Sequence, residues 1–573
     1  MFDYIIVGGG SAGCVLAGRL SEDPAIRVAL LEAGPPDSSV LIHCPAGLAL
    51  LAKNGQANWS LQTVPQPGLN GRRGHQPRGK VLGGSSSVNA MIYTRGHPSD
   101  YDAWAALGNP GWSFAEVLPY FKRAEHNQRG ADALHGQGGP LNVMDLRSPN
   151  PFLPAFVEAG VQAGYPRNHD FNGPDQEGVG AYQVTHKNGE RYSAAKAYLT
   201  PHLGRPNLQV ITHALTTRVL TGLGADGTPR AVGVEYRGDG GRGPLQTLRL
   251  KEEGGEVVLS AGAFGSPQLL MLSGIGPAGH LREHGIAPVH ELPGVGQNLH
   301  DHVDVVIVVN APRVKDTFGV SPGGVWRVLK GIFEWRRQRS GVLTTNFAEA
   351  GGFIKSSRAE TIPDLQLHFV VGKLVDHGRK TVLGHGYSCH VCLLRPKSRG
   401  TLRLADADPR SAPLIDPAFL QDADDTARLV RGFKKMRVLL QQHALARHGG
   451  TESASSAAAQ SDAEIERFIR DHADTIYHPV GTCRMGPDGT PGAMDVVDAR
   501  LRVHGVAGLR VVDASVMPSV VGGNTNAPVI MMAEKAVDMM REDRQGNSPA
   551  PLRASPEGAT AVDMQSRSHA VSD

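Results

Sequence analysis

The chain has 573 residues, of which 40% are hydrophobic and 20% are charged, and its formal net charge is only +3. This length exceeds the roughly 100–200 residues of a typical domain, so we expect several domains or one large composite. The small net charge argues against nucleic acid as the main partner, because phosphate binding requires a surplus of clustered Lys and Arg.

The cysteines and the apolar segments indicate a reducing compartment. Five cysteines are too few for a disulfide scaffold in a chain of this length, and the odd number leaves at least one thiol free. No signal peptide is visible, and no run approaches the roughly 20 apolar residues of a membrane span. We therefore expect a cytoplasmic protein, soluble or at most peripheral on the inner face of the cytoplasmic membrane.

The first 32 residues predict a strand, a glycine-rich turn, a helix and a second strand. Apolar residues 3–7 are typical of a buried parallel strand, and Gly8-x-Gly10-x-x-Gly13 follows them. Glu32 ends the next apolar run, which completes the dinucleotide-binding fingerprint in its usual context. The glycines permit a tight turn, close approach to a pyrophosphate and close helix packing, while Glu32 would accept hydrogen bonds from a ribose.

Further elements follow along the chain. Strands are predicted at 208–211, 217–220, 231–236, 256–260 and 509–513, with helices from Ser266, near 423–443 and from about Ala527. The chain then becomes polar, and residues 543–573 are predicted to be a disordered tail.

Several longer motifs carry a family resemblance. Residues 79–93 read GKVLGGSSSVNAMIY and residues 262–276 read GAFGSPQLLMLSGIG; they resemble the two signatures of the glucose–methanol–choline (GMC) oxidoreductases. Residues 477–486, 512–518 and 523–528 resemble the C-terminal part of the same family. These landmarks extend from residue 3 to about residue 540, so the resemblance covers nearly the whole chain.

The resemblance implies an α/β fold in which a Rossmann-like FAD-binding domain is assembled from discontinuous segments. These segments would be residues 1–150, 191–300 and 475–542. Residues 151–190 and 301–474 would form an inserted α+β substrate domain, with an antiparallel sheet and helices.

The resemblance also implies which residues hold FAD. Those at the ADP half would be Gly8, Gly10, Ser11, Ala12, Gly13 and Glu32, with Val219 meeting the adenine through its backbone. Those along the flavin would be Gly83, Asn89, Ala90, Met91 and Ile92, and the set further includes Tyr477, Asp513, Ala514, Asn524 and Thr525. Family members that bind FAD covalently carry a His directly before the residue matching Asn89. Here that residue is Val88, so we expect non-covalent FAD.

Two residues are the candidates for the chemistry. Alcohol oxidation by a flavin needs a base for the hydroxyl proton, and the family places its catalytic His in the segment that contains His478. Asn524 matches the position of a second His or an Asn that would hydrogen-bond the substrate oxygen, with Asn526 as its rival. The structural alternatives are a core histidine that caps a turn and asparagines that only cap a helix.

Three other groups of residues are ambiguous. Glu349 falls where choline-active relatives place an acid facing the substrate cation, but relatives acting on neutral alcohols carry it too, and a structural carboxylate is equally consistent. Cys389 and Cys392 have CxxC spacing but are predicted to lie on opposite faces of a strand, so we expect no metal there. Residues 300–302 read HDH and are interpreted as structural.

The predicted function is FAD-dependent oxidation of a primary alcohol, aliphatic or polyether in type, to the aldehyde. A quinone-type acceptor would take the electrons. Residues 374–380 and 384–387 resemble the aliphatic alcohol group of the family. The alternatives are a choline dehydrogenase, an alcohol oxidase that uses oxygen and, from another class, a flavin-containing hydroxynitrile lyase. The sequence does not determine the oligomeric state.

Overall fold

The computed structural model describes residues 1–380, 382–490 and 493–546. Within these residues, the strands of four or more residues and the Leu509–Val511 strand are β1 Tyr4–Val7, β2 Val28–Leu31, β3 Leu141–Asp145, β4 Gly178–Ala181, β5 Leu208–Ile211, β6 Leu215–Leu223, β7 Pro229–Arg237, β8 Leu245–Arg249, β9 Glu256–Leu259, β10 Val303–Asn310, β11 Ala348–Ile354, β12 Leu365–Val370, β13 Gly386–Leu393 and β14 Leu509–Val511. The helices of six or more residues are α1 Ser11–Leu20, α2 Leu48–Asn54, α3 Pro98–Ala106, α4 Phe114–Ala124, α5 Phe152–Gln162, α6 Gly262–Leu272, α7 Ala278–Glu283, α8 Pro322–Gln338, α9 Ala423–Leu440, α10 Asp462–His472 and α11 Asn526–Arg544.

A five-stranded parallel sheet forms the centre of one half of the molecule. Its order is β5-β2-β1-β9-β14, and every neighbouring pair is parallel. All four residues of β1 and all four of β2 are buried; α1 packs against both strands, and α11 packs against α1. This is the Rossmann-like half that the fingerprint predicts, and the carboxyl ends of its strands meet at one edge.

A second, antiparallel sheet forms the other half. Its main path runs from the short strand Thr451–Glu452 through β10, β13, β12 and β11 to β4. All eight residues of β13 and all six of β12 are buried, since α5 and α9 pack against this sheet. The separate antiparallel sheet β6-β7-β8 adjoins the parallel half.

Two sequence predictions need correction. Helix α6 begins at Gly262 rather than at Ser266, because Asp513 accepts hydrogen bonds from the Gly262 amide at 2.9 Å and from the Ser266 hydroxyl at 2.5 Å. Helix α11 continues to Arg544, past the predicted start of the tail at residue 543, because Asp543 pairs with Arg500 at 2.7 Å and also with Arg510. The rest of the predicted tail, from residue 547, lies outside the described residues.

The described helices include none with the length and apolarity needed to cross a membrane. The predicted limits of the two domains remain a prediction.

Candidate active site

One large cavity, of about 1480 Å³, lies where the two halves meet. On one side it is lined by the carboxyl ends of β1, β2 and β9, and on the other by residues of β11, β12 and β13. In open α/β sheets, ligands bind at this edge of the parallel strands. Its lining includes the glycine turn, here called the nucleotide end, and the segment around residue 478, here called the catalytic end.

The glycine turn forms a backbone cradle at the first end. Gly8 has φ +104°, and the Gly9 amide donates to the Glu32 carboxylate at 2.9 Å. Gly10 precedes α1 and places no side-chain cap on the first amides of this helix. These amides and the helix dipole are therefore available to an anionic group, as a pyrophosphate requires.

The space around the glycines explains their positions. A Cβ on Gly13 would lie 1.9 Å from the Gly8 carbonyl oxygen, and a Cβ on Gly8 would lie 2.5 Å from that of Ser260. A Cβ on Gly10 would meet no atom closer than 3.8 Å, so it would only occupy the cavity. Gly8 and Gly13 thus shape the turn, whereas Gly10 leaves room for a ligand.

Glu32 is fixed beside this cradle. Its carboxylate also accepts from the Gly34 amide at 2.8 Å, and burial raises its pKa to about 7. The two amides use one lone pair on each oxygen, and the others remain for ribose hydroxyls, which donate.

The middle of the cavity is lined by a tightly held loop. Asn89 accepts from the Met91 amide at 3.0 Å and from the Arg191 guanidinium at 2.9 Å, which stabilises Met91 at φ +59°. Ala90 and Ile92 line the same wall. Val88 also lines it and offers no nucleophile for a covalent bond.

The opposite end brings together two residues that are 46 positions apart in the sequence. The Nδ2 atom of Asn524 lies 3.2 Å from Nε2 of His478. The Oδ1 atom of Asn524 accepts from the Thr94 hydroxyl at 3.1 Å and from the Gln366 amide at 3.2 Å. These two donors fix the amide orientation, so Nδ2 of Asn524 is the donor toward His478.

His302 determines which nitrogen of His478 carries the proton. Nε2 of His302 lies 3.0 Å from the Leu394 carbonyl oxygen, which can only accept, so this nitrogen is protonated. Its Nδ1 is then an acceptor in the neutral ring, and it lies 3.0 Å from Nδ1 of His478. His478 therefore donates through Nδ1 and presents the lone pair of Nε2 to the cavity.

Burial keeps both imidazoles neutral. Burial, the neighbouring imidazoles of His302 and His368 and the charge of Arg78 hold the pKa of His478 well below its usual range. Burial lowers the pKa of His302 to about 3. A neutral His478 can accept a proton, and the His478 amide is anchored by Asp301 at 2.8 Å. Residues 300–302, interpreted from the sequence as structural, thus position the candidate base.

Two further histidines at this end were missed by the sequence reasoning. His368 on β12 and His390 on β13 are direct cross-strand partners, and both line the cavity. Nδ1 of His390 contacts Asp304 at 2.5 Å, whereas its Nε2 and both nitrogens of His368 are buried without a partner among the described residues. The available signal was a histidine on each of two fully buried strands.

Most of the other predicted site residues also line the cavity. Ser11, Ala12, Tyr477, Ala514 and Thr525 line the cavity. The Asp513 carboxylate lines it too, but its hydrogen bonds brace α6 and Ser515.

Gly13 and Gly83 lie behind the lining; the Gly83 amide donates to the Gly9 carbonyl at 2.7 Å. Asn526, the rival of Asn524, faces Ser11 with its Oδ1 at 2.7 Å and so lies toward the glycine turn.

Two further predicted residues, Val219 and Glu349, also lie outside the cavity lining. The Val219 amide donates to the Ser273 hydroxyl at 2.8 Å, and the neighbouring residues that line the cavity are Ala214, Leu215 and Thr216. Glu349 is fully buried behind the lining and accepts from the Thr345 hydroxyl at 2.6 Å. Ala348 lines the cavity and Glu349 does not, and the pairing of β11 with β12 shifts register between Ala348 and Ala350, as at a β-bulge.

Cys389 and Cys392 both lie in β13 and are buried, three residues apart. The described residues contain no group of three or more metal-ligating side chains.

Comparison with known proteins identifies the family. Residues 2–304 match the N-terminal part of the GMC oxidoreductases, and residues 396–533 match their C-terminal part. The chain belongs to the GMC oxidoreductase family. The resemblance of the signature motifs is thereby confirmed.

Characterised GMC oxidoreductases resemble the chain over nearly its whole length. It is 49% identical over 541 residues to alcohol dehydrogenase [acceptor] of Pseudomonas putida, covering 94% of this chain and 96% of that protein. It is 46% identical over 547 residues to mitochondrial choline dehydrogenase of Homo sapiens, covering 94% of this chain and 90% of that one. The structure of pyridoxine 4-oxidase from Mesorbium loti has a TM-score of 0.82 at 33% identity, covering 95% of this chain and 99% of that chain. An FAD-dependent oxidoreductase from Chaetomium thermophilum has a TM-score of 0.85 at 26% identity, covering 95% and 100%.

Proposed function

We propose that this GMC oxidoreductase oxidises a primary alcohol of aliphatic or polyether type to the aldehyde with FAD as cofactor. One observation carries the proposal: the lone pair of His478 Nε2 and the Nδ2 donor of Asn524 lie 3.2 Å apart in a cavity whose other end is a dinucleotide cradle. A base and a hydrogen-bond donor side by side suit a hydroxyl group that must lose its proton.

The residues present fit FAD. The uncapped amides of α1 would hold the pyrophosphate, Glu32 would hold the ribose, and the Met91 loop would lie along the flavin. The cavity of about 1480 Å³ is larger than a small substrate needs and leaves room for a dinucleotide. We expect non-covalent binding because Val88 offers no reactive atom. Acid precipitation should release all of the flavin, and a yellow pellet would contradict this.

Each side chain at the catalytic end has its own role in the proposed reaction. Bound FAD supplies the acceptor for the hydride from the carbinol carbon. Asn524 donates to the substrate oxygen and orients it, while His478 accepts the hydroxyl proton at Nε2. His302 keeps the proton of His478 on Nδ1 and so keeps Nε2 unprotonated. His478 and Asp301 are both buried, and the Asp301 carboxylate holds the His478 backbone amide in place.

The lining favours a neutral alcohol. Among the described residues, only two carboxylates line the cavity, those of Glu32 and Asp513, and both already accept backbone hydrogen bonds. Phe347, Val370 and Leu374 add apolar surface. A quaternary ammonium substrate would find no free carboxylate there, which ranks choline below aliphatic and polyether alcohols. The 49% identity to an alcohol dehydrogenase supports the same order.

An anaerobic titration tests the proposal. The visible spectrum of the purified protein should be that of a flavin, and 1-octanol or a polyethylene glycol should bleach it while choline should not. Bleaching by choline alone would make choline dehydrogenase the better assignment. A flavin reduced by none of the three would contradict the alcohol reaction and reopen the lyase alternative.

The electron acceptor is tested in the same cuvette. We propose a quinone-type acceptor, so admitting air should reoxidise the flavin slowly and a soluble quinone should do so quickly. Fast reoxidation by oxygen would identify an oxidase instead.

A further inference from the structure

Helix α8 exposes the face that a surface helix normally buries. Five large apolar side chains within nine residues point to solvent, and they are Val325, Trp326, Leu329, Ile332 and Phe333. Trp326 is 71% exposed and Phe333 is 69% exposed. At 100° per residue the five span about 120° of the helix surface, a continuous stripe.

The opposite face of the same helix is held by the protein. Gly324, Gly331 and Trp335 are buried, and the Trp335 indole donates to the Gly189 carbonyl at 2.8 Å. A Cβ on Gly331 would lie 2.7 Å from Val342, so the helix packs closely there. The apolar stripe therefore cannot turn inward without loss of this contact.

The stripe continues onto neighbouring segments. Val320 and Leu383 form a backbone bridge and are 43% and 73% exposed. Val320, Ile332 and, on α2, Leu50 are exposed and also line the large cavity. The cavity thus opens at the edge of this apolar surface. Monomeric soluble proteins rarely expose a contiguous apolar patch of this kind without a binding role.

The helix that carries the stripe is basic. Helix α8 holds Arg327, Lys330, Arg336 and Arg337 against a single acid, Glu334, for a net charge of 4 − 1 = +3. The whole chain of 573 residues also has a net charge of +3. Lys330 and Arg337 lie at one margin of the stripe by helical angle, and both are exposed.

We propose that the apolar face of α8, with Val320 and Leu383, docks into the interfacial region of an anionic lipid bilayer. Tryptophan and phenylalanine on one face with Lys and Arg at its margin is the pattern of helices that lie in that region. Net positive charge favours anionic headgroups over neutral lipid. A second copy of the chain would repeat the same positive charge across the contact, which disfavours it as the occupant.

This surface turns one opening of the cavity toward the bilayer. An apolar alcohol or a quinone dissolved in the lipid would then enter without crossing water. That consequence rests on the proposed function, whereas docking itself does not.

Vesicle sedimentation of the full-length protein with its cofactor tests the docking. Binding to vesicles of phosphatidylcholine and phosphatidylglycerol should exceed binding to phosphatidylcholine alone by about tenfold or more at low salt, and should fall with added salt. The double change Trp326→Ser and Phe333→Ser should lower binding by about tenfold or more. The matched control is the double change Leu203→Ser and Leu223→Ser. These two leucines are 50% and 80% exposed and lie outside this surface, so the control should leave binding unchanged.

Two further measurements separate a loss of membrane docking from a loss of activity. Trp326 and Phe333 do not line the cavity, so turnover of a soluble alcohol with a dye acceptor should be the same in the double variant as in the wild type. Lys330→Gln with Arg337→Gln should weaken binding to the anionic vesicles and leave binding to neutral vesicles unchanged. Failure of the wild type to bind vesicles, or equal binding by the Trp326→Ser, Phe333→Ser variant, would overturn the proposal. Self-association without lipid that the same double change abolishes would assign the surface to a second copy instead.

Discussion

The two ends of the cavity present different chemical groups to a ligand. At the nucleotide end the groups that face a ligand are backbone amides and one carboxylate, and residues 8–32 supply them. At the catalytic end they are the side chains of His478 and Asn524. Thr94, His302 and Gln366 hold these two side chains in place through hydrogen bonds. The first end depends on the absence of side chains at glycines, and the second depends on the orientation of protons along a chain of hydrogen bonds.

This difference predicts that substitutions at the two ends will have different effects on cofactor binding and turnover. A methyl group added at the nucleotide end should remove cofactor and leave the catalytic geometry intact. A donor or acceptor removed at the catalytic end should remove turnover and leave the cofactor bound.

His478→Ala should give the largest loss of activity. Removing a positioned general base typically costs about 10²–10⁴-fold, so kcat should fall by this range. The measurement is stopped-flow reduction of the flavin by an alcohol, with flavin content per protein measured beside it. Retained flavin with wild-type rates would remove His478 from the role of base.

Asn524→Ala should follow, with a loss of about 10²-fold in kcat, because it removes one donor to the reacting oxygen. Asn526→Ala serves as the matched control, since its side chain faces Ser11 at the nucleotide end. A larger loss of turnover in the Asn526 variant would move the donor role to that residue.

His302→Ala should lower kcat by about tenfold with little change in KM, because His478 would lose the acceptor that fixes its tautomer. His302→Asn restores an acceptor near the former Nδ1 position and should recover part of the rate. A purely structural role would give equal losses in both variants and a matching loss of thermal stability.

Gly10→Ala should weaken FAD binding by about tenfold or more while the protein still folds, because the added methyl group has room in the protein and occupies ligand space. The matched control is Gly279→Ala in α7, where a Cβ meets nothing within 4 Å. Fluorescence of released flavin measures the difference. Equal FAD content in the two variants would contradict the cradle.

The smallest effect concerns pH. The pKa of His478 lies below the usual value of about 6.5, so the neutral base is present throughout the range above it. kcat/KM should stay level as pH falls from about 8 to about 6.5 and should decline only at lower pH. An acid limb centred above pH 7 would indicate a raised pKa, contrary to the buried site.

Part of this picture follows from residues that are neighbours in the sequence. The glycine turn, Glu32 and the parallel strand β1 are specified within 32 residues, because strand, turn and helix are local structures. Motif resemblance also pointed to His478 and Asn524, although their roles stay predictions until variants are measured. Local pattern did not show that Glu349 lies outside the cavity lining, because its side chain bonds Thr345 at a register shift of β11 that depends on pairing with β12.

The family and the fold class could be predicted from separate motifs between residue 3 and about residue 540, and the dinucleotide turn from residues 8–32, because each motif is a continuous run of sequence. Only the tertiary structure decided the tautomer of His478, which depends on His302 and Leu394, 176 and 84 positions away. It alone placed His368 beside His390 and directed the apolar face of α8 outward. These features form only when distant segments pack together. The spacing of residues within one segment does not specify which distant side chain will be the hydrogen-bond partner or which face of a helix will be exposed.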